Sequence, residues 1–212
     1  MVDDDHDHDH EMTKNATRAA YRRRRADASE QERDMNYSPY SSCDADKVTQ
    51  LFITTFSDSE GPAEGEVIGR LVKDLVNTTD KNDLYGFVAR DDAQIAGSIF
   101  FSRIKFECAI NCFILAPVAV RTDLQGRGIG QTLIKYGIDA LSKGGVELVL
   151  TYGDPAFYSK VGFRAVTKAM IPAPMTLQHP EGWLAQSLTG KAIQPITGQS
   201  SCVEALNKPE YW

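Results

Sequence analysis

The sequence predicts a mixed α/β fold in which helices flank a central sheet, and three observations point there. Strand-like and helix-like apolar periodicities succeed one another along most of the chain. A nearly uninterrupted apolar run at 113–120 reads as a strand covered on both faces, and the glycine-rich QGRGIG stands where a strand gives way to a helix. With 212 residues there is chain enough for one domain with a full core and too little for two typical domains plus linkers. An apolar fraction of 42% and a charged fraction of 25% match ordinary globular usage and argue against a fibrous or wholly disordered chain.

Residues 1–34 differ in kind from the rest. His6, His8 and His10 alternate with aspartates, and Arg22, Arg23, Arg24 and Arg25 follow. Few apolar side chains are available to bury, so a disordered charged tail is expected before a domain at 35–212. Interleaved imidazole and carboxylate can also capture a transition metal weakly. The arginine run could touch nucleic acid, but the acids in the same stretch make it a poor patch. No apolar central region exists, so a signal peptide is not expected, and Met12 and Met35 stand as alternative starts.

A short strand is predicted at 35–40. Ser41, Ser42 or Asp44 can then cap a helix by accepting its orphan N–H groups, and Val48, Leu51, Phe52, Thr55 and Phe56 fall on one face of it. After Gly61 and Pro62, the residues Val67, Leu71, Val72 and Leu75 mark a second helix. Residues 84–89 and 95–106 read as a hairpin joined by DDAQ, and 113–120 as the central strand. Pro117 sits inside that strand, where it removes a ladder donor, so a bulge is predicted there. Ile129, Leu133, Ile134, Ile138 and Leu141 form the stripe of a helix at about 128–142 that Gly144 and Gly145 end. A buried strand at 146–152 follows by a right-handed crossover, which makes the sheet mixed. A short helix then ends before Gly162, and 163–168 reads as a last core strand. Past Ile171 the pattern is weak, with a further strand suggested at 203–206.

Composition limits the function. A net charge of −6 opposes attraction to nucleic acid or an anionic membrane, so any anion site must be local. The longest apolar run is about half of a membrane-spanning helix. Four cysteines without a secretion signal suggest reduced thiols and a cytoplasmic setting. Cys108 and Cys112 are spaced as a metal pair or hairpin disulfide would be, but no second ligand pair follows, and no metal site is expected.

QGRGIG places small, permissive residues where a loop enters a helix. Successive N–H groups can therefore face one anion, helped by the helix dipole and by charge from Arg127 and Lys135. A dinucleotide site would need a third glycine where Gln131 stands, and a P-loop would need a GK[ST] ending. A tight turn with no ligand stays open beside the phosphate reading.

The segment also matches the Q/RxxGxG/A signature, and with LAPVAV before it and GDPAFYSKVGF after it the chain resembles the GNAT superfamily of N-acetyltransferases. The resemblance covers residues 35–163 and is nearest to a bacterial predicted-acetyltransferase branch; the core is set at 35–165, and the segment 166–212 aligns only loosely. It implies the GNAT fold: a mostly antiparallel sheet of six or seven strands, a bulged central strand that splays from its neighbour, and about four helices. It implies acetyl-CoA as co-substrate, with the pantetheine arm on the edge formed by Val118, Ala119 and Val120. The pyrophosphate would lie on the amides of Gln125, Gly126, Arg127, Gly128, Ile129, Gly130 and Gln131. Homodimer formation is common among similar proteins.

The implied reaction is direct acetyl transfer to an amine through a ternary complex. It needs a donor for the developing oxyanion and an acid for the departing thiolate. Because Pro117 has no N–H, the backbone of Val118 is the natural oxyanion donor. Tyr158 stands where related enzymes carry the tyrosine that protonates the CoA sulfur, with packing beside Phe157 as the alternative role. A lysine-like acceptor of pKa about 10.4 costs roughly 4.6 kcal/mol to deprotonate at pH 7, so a base or water relay would help. Glu60, Glu64, Glu66, Glu107 and His179 are candidates that the sequence does not rank. A nucleophilic Cys112 lacks a histidine nearby in sequence. The alternative function is a non-catalytic acetyl-CoA sensor, and the acceptor itself is not legible.

Overall fold

Apolar side chains on both faces of one middle strand dictate the layering of the molecule. The structure, a computed structural model, describes residues 35–212; the disorder, metal and nucleic-acid readings of residues 1–34 fall outside the described residues. The strands are β1 (Met35–Pro39), β2 (Leu84–Asp91), β3 (Gln94–Phe106), β4 (Cys112–Val120), β5 (Leu148–Tyr152), β6 (Arg164–Ala165), β7 (Trp183–Ser187) and β8 (Ser200–Cys202). The helices are α1 (Ala45–Glu60), α2 (Pro62–Thr78), α3 (Ile129–Lys143) and the single turn α4 (Pro155–Tyr158). The sheet order is β1-β2-β3-β4-β5-β7-β6, with β8 paired to the end of β3 past the reach of β2. All pairings with a resolved register are antiparallel except β4 with β5, which α3 joins as a crossover.

One face of the sheet buries Phe100, Ile104, Ile114, Leu148, Leu150 and Trp183 against Val48 and Phe52 of α1 and Leu71, Val72 and Leu75 of α2. The opposite face carries Ile99 and Phe101, the neighbours of Phe100 in the pleat, and Gly137 of α3 lies directly over both. Ser41 caps only the 3-10 turn Ser42–Asp44 that leads into α1, its Oγ accepting from the Cys43 amide at 3.4 Å, while Asp44, the N-cap of α1 itself, makes no side-chain cap bond. Asp44 instead pairs with Arg90 across to β2. On α2 the buried position is Ile68, while Val67 is only half-buried. The two helices cross closely: a Cβ on Gly65 would lie 2.6 Å from the Ile53 carbonyl, so only glycine fits there.

The C-terminal segment departs from expectation. The core strand expected at 163–168 is reduced to β6, two exposed residues at the sheet edge, although Phe163 before it is buried. The place beside β5 belongs to β7, which the sequence does not announce. Its apolar residues follow a proline and a glycine, and Trp183, Leu184 and Ala185 are buried consecutively, so neither periodicity is visible. Residues 203–206 are not a strand: Glu204–Leu206 forms a 3-10 turn, and pairing with β3 falls to β8 just before it. Among the described residues no helix is long and apolar enough to cross a membrane.

Candidate functional site

The bulge predicted at Pro117 opens the site. In the ladder with β3, Leu115 opposes Phe101 and Val118 opposes Ile99, so Ala116 and Pro117 together face Phe100 alone. The Ala116–Pro117 peptide is cis. On the other edge, β5 follows β4 only from Cys112 to Leu115, where Thr151 is the last partner. Beyond that point the two parallel strands part.

Hydrogen-bond alternation fixes which groups face the gap. Arg121 N–H donates to the Ala96 carbonyl at 2.8 Å, so in an antiparallel ladder the next bonded pair is Ala119 with Ser98. Val118 and Val120, between the bonded positions, turn their N–H and C=O groups away from β3 and into the gap. Gln125 meets Val120 from that side, its Nε2 donating to the carbonyl at 3.0 Å. Ala119 stands outside this set: its backbone faces β3 and its side chain is buried in the core.

Across the gap lies the start of α3. Gly126 and Gly128 have φ of 76° and 83°, left-handed values that favour glycine. Gly128 occupies the N-cap position without a side-chain cap, and the first intrahelical bond is Thr132 N–H to the Gly128 carbonyl at 3.0 Å. The amides of Ile129, Gly130 and Gln131 precede it and have no intrahelical acceptor. They line the same cavity as Val118 and Val120, a space of about 980 Å³. The predicted residues Gln125, Gly126 and Gly128 also line it, whereas Arg127 is exposed outside the lining. Lys135 does not reach it either and borders a separate groove with Asp139 and Gln186. Lys160 does line the cavity, inside the SKVGF segment yet unmarked by any motif position.

Tyr158 ends α4, a turn started by Asp154, whose carboxylate accepts from the Ala156 amide at 2.9 Å. The ring lies edge-on to Phe157 and Phe163, at 5.0 and 5.7 Å between centroids. The packing role and the cavity position thus coexist, because Tyr158 also lines the cavity. Burial pushes its phenol up to about 12, with nearby Thr151 acting downward and the Asp154 charge upward.

The rest of the cavity wall comes from distant segments. Glu60 and Glu64, at the α1–α2 turn, line it, and so do His179, Tyr211 and Trp212. The His179 amide donates to the Tyr152 hydroxyl at 2.7 Å, while its imidazole stands exposed 3.6 Å from Glu181. Trp212 is buried, its indole N–H donating to the Leu206 carbonyl at 2.9 Å. Glu66 is not among the lining residues, and Glu107 accepts from the Gln199 amide on another part of the surface. Cys112 is fully buried in the core, where burial raises its thiol far above the usual range, so a nucleophilic role is not supported. All four cysteines are free, and among the described residues no cluster could hold a metal ion. No sequence motif flags Tyr152, Tyr211 or Trp212, because each reaches the cavity only through the tertiary fold.

Comparison with known proteins follows this geometry. Residues 82–165 match the model of the acetyltransferase (GNAT) domain. The chain is 31% identical over 140 residues to the uncharacterised N-acetyltransferase YjhQ of Escherichia coli K12, covering 63% of this chain and 77% of YjhQ. It is 35% identical over 102 residues to the uncharacterised N-acetyltransferase YhbS of the same strain, spanning 60% of that protein. The crystal structure of Escherichia coli YhbS in complex with CoA superposes with a TM-score of 0.70 at 27% identity, over 82% of this chain and 93% of that one. A GNAT-family acetyltransferase from Brucella melitensis, in complex with acetyl-CoA, shares the fold with a TM-score of 0.62 at 23% identity, over 82% and 98% of the two chains.

Proposed function

This chain belongs to the GNAT family of acetyltransferases, and from that premise we propose that it binds acetyl-CoA across the β4–β5 gap and passes the acetyl group directly to an amine in a ternary complex. The observation that carries the reading is the convergence, on one cavity, of the outward backbone of Val118 and Val120, the amides of Ile129, Gly130 and Gln131, and Tyr158. An extended pantetheine arm would pair with the β4 edge, and the pyrophosphate would accept from the α3 amides, with Lys160 adding charge. The pairing gives the outward groups of β4 the partners that β5 withholds. CoA complexes of relatives with the same fold support this placement.

In the transfer step, the amine attacks the thioester carbonyl. Negative charge gathers on the oxygen, where the Val118 N–H stabilises it. The C–S bond then breaks, and the Tyr158 phenol, protonated throughout the neutral range, gives its proton to the leaving sulfur. Glu60 and Glu64 are the carboxylates at the α1–α2 turn toward which the acceptor sheds its own proton.

CoA release from acetyl-CoA, measured against a panel of small amines, amino acids, aminoglycosides and peptide N-termini, tests the reading. At least one amine should be acetylated. In Tyr158→Phe, kcat for that amine should fall about 100-fold, the scale of losing general acid catalysis, with acetyl-CoA affinity nearly unchanged. Acetyl-CoA binding without turnover on any amine would overturn direct transfer and leave a sensor.

A further inference from the structure

The two ends of the cavity differ in chemistry. At one end stand the amides that open α3, and the turn Ser159–Val161 that carries Lys160 packs on the same helix. At the other end the lining residues Ile68, Leu71 and Trp212 belong to the core on the α1–α2 face, and Phe56, Tyr152 and Tyr211 pack against that core. The rings are fixed by their own contacts. Tyr152 stacks on Trp212 at 6.3 Å between centroids and 19° between planes. The Tyr152 hydroxyl accepts from the His179 amide, the Trp212 indole N–H donates to the Leu206 carbonyl, and the Tyr211 hydroxyl is buried. With these polar atoms engaged or covered, the rings offer a ligand mainly carbon surface.

The ionic side chains at this second end are carboxylates. Glu64 is half-buried, and Glu60 and Glu210 stand exposed at the rim. Among the described residues no lysine or arginine forms an ion pair with any of the three. The His179 imidazole faces Glu181 instead, at 3.6 Å. Ionised carboxylates accept hydrogen bonds and donate none.

We propose that the acceptor is a primary amine on an apolar, preferably aromatic, body that carries no carboxylate: an aralkylamine. The proposal rests on the reading of the cavity as an acetyl-transfer site. An ammonium group entering this end meets three carboxylates whose charge the protein leaves uncompensated, and ring faces that also attract cations. Its apolar body covers the carbon surface of Phe56, Ile68 and Tyr152 and takes that surface out of water. An amino acid of the same shape brings a fourth carboxylate up to Glu60, Glu64 and Glu210, a like-charge contact that disfavours it. An amino sugar brings hydroxyls to a wall that leaves most of them without partners.

Steady-state rates with 2-phenylethylamine, ethylamine, phenylalanine and phenylalaninol separate these effects. For 2-phenylethylamine, kcat/KM should exceed that of ethylamine about 30-fold, the scale of burying one phenyl ring. It should exceed that of phenylalanine at least about 10-fold, and phenylalaninol, which replaces the carboxylate by a neutral group, should recover most of that loss. In Glu60→Gln combined with Glu64→Gln, the preference over phenylalanine should shrink while the preference over ethylamine stays. An amino acid or an aminoglycoside acetylated better than 2-phenylethylamine overturns the proposal and leaves acetyl transfer standing. Calorimetry of the same four compounds on the CoA-loaded chain adds a readout that needs no turnover. Selective binding of 2-phenylethylamine without its acetylation sustains the proposal and overturns the transfer reading, whereas equal binding of all four overturns the proposal.

Discussion

The two walls of the cavity are built differently. The wall formed by β4 and α3 is made of backbone groups from residues 118–131, brought together by one bulge, one strand separation and two left-handed glycines. The opposite wall is made of side chains, with Glu60 and Glu64 from the α1–α2 turn and Tyr211 and Trp212 from the far end of the chain. Backbone amides and a strand edge recognise features that every acyl-CoA shares. Side chains gathered from distant segments can be exchanged without disturbing the sheet. Under the proposed function, the shared donor belongs to the first wall and selection of the acceptor to the second.

Breaking the backbone wall should have the largest effect. Gly128→Val forces a branched residue to a φ of 83°. The strain, about 2 kcal/mol, should turn the following amides and weaken acetyl-CoA binding roughly 30-fold by calorimetry. The acceptor wall should respond on a different axis. Glu60→Gln combined with Glu64→Gln should raise KM for a cationic amine about 5-fold, the scale of one partly exposed ion pair, and leave acetyl-CoA affinity alone. A shift of acetyl-CoA affinity by the glutamine pair would show that the walls are not separable.

The smallest effect concerns stability in alkali. The Tyr158 and Tyr211 phenols are both held up to about 12, chiefly by burial. The folded chain therefore keeps protons that the unfolded chain releases near pH 10. Their contribution is complete below about pH 10 and is lost as pH rises toward 12. Urea unfolding across that window should show stability falling with pH. In Tyr158→Phe the slope should be shallower by at most about 1.4 kcal/mol per pH unit.

The same contrast explains what could be read from the sequence. Pro117 in an apolar run and glycines at a strand-to-helix junction are local signals, and the structure places a bulge and an uncapped helix start where they stand. The helices and the β2–β3 hairpin carry their periodicity openly. Legibility fails where the determinant is tertiary. β7 is short and its first three residues are buried in succession, so alternation is missing, and it enters the sheet beside β5 ahead of the earlier β6. Lys135 has the right charge but sits a turn too far along α3, whereas Lys160 reaches the cavity from the other side of the gap. Ala119 lies inside the expected edge, yet the alternation of ladder bonds turns it toward β3.

Residue-resolved amide hydrogen exchange, with and without acetyl-CoA, tests the division between the walls most directly. The amides of Val118, Ile129, Gly130 and Gln131 should gain strong protection when acetyl-CoA binds, while those around Glu60 and Glu64 change little. Protection confined to the α1–α2 turn and the C-terminal segment, with the amides of residues 118–131 unaffected, would contradict the account.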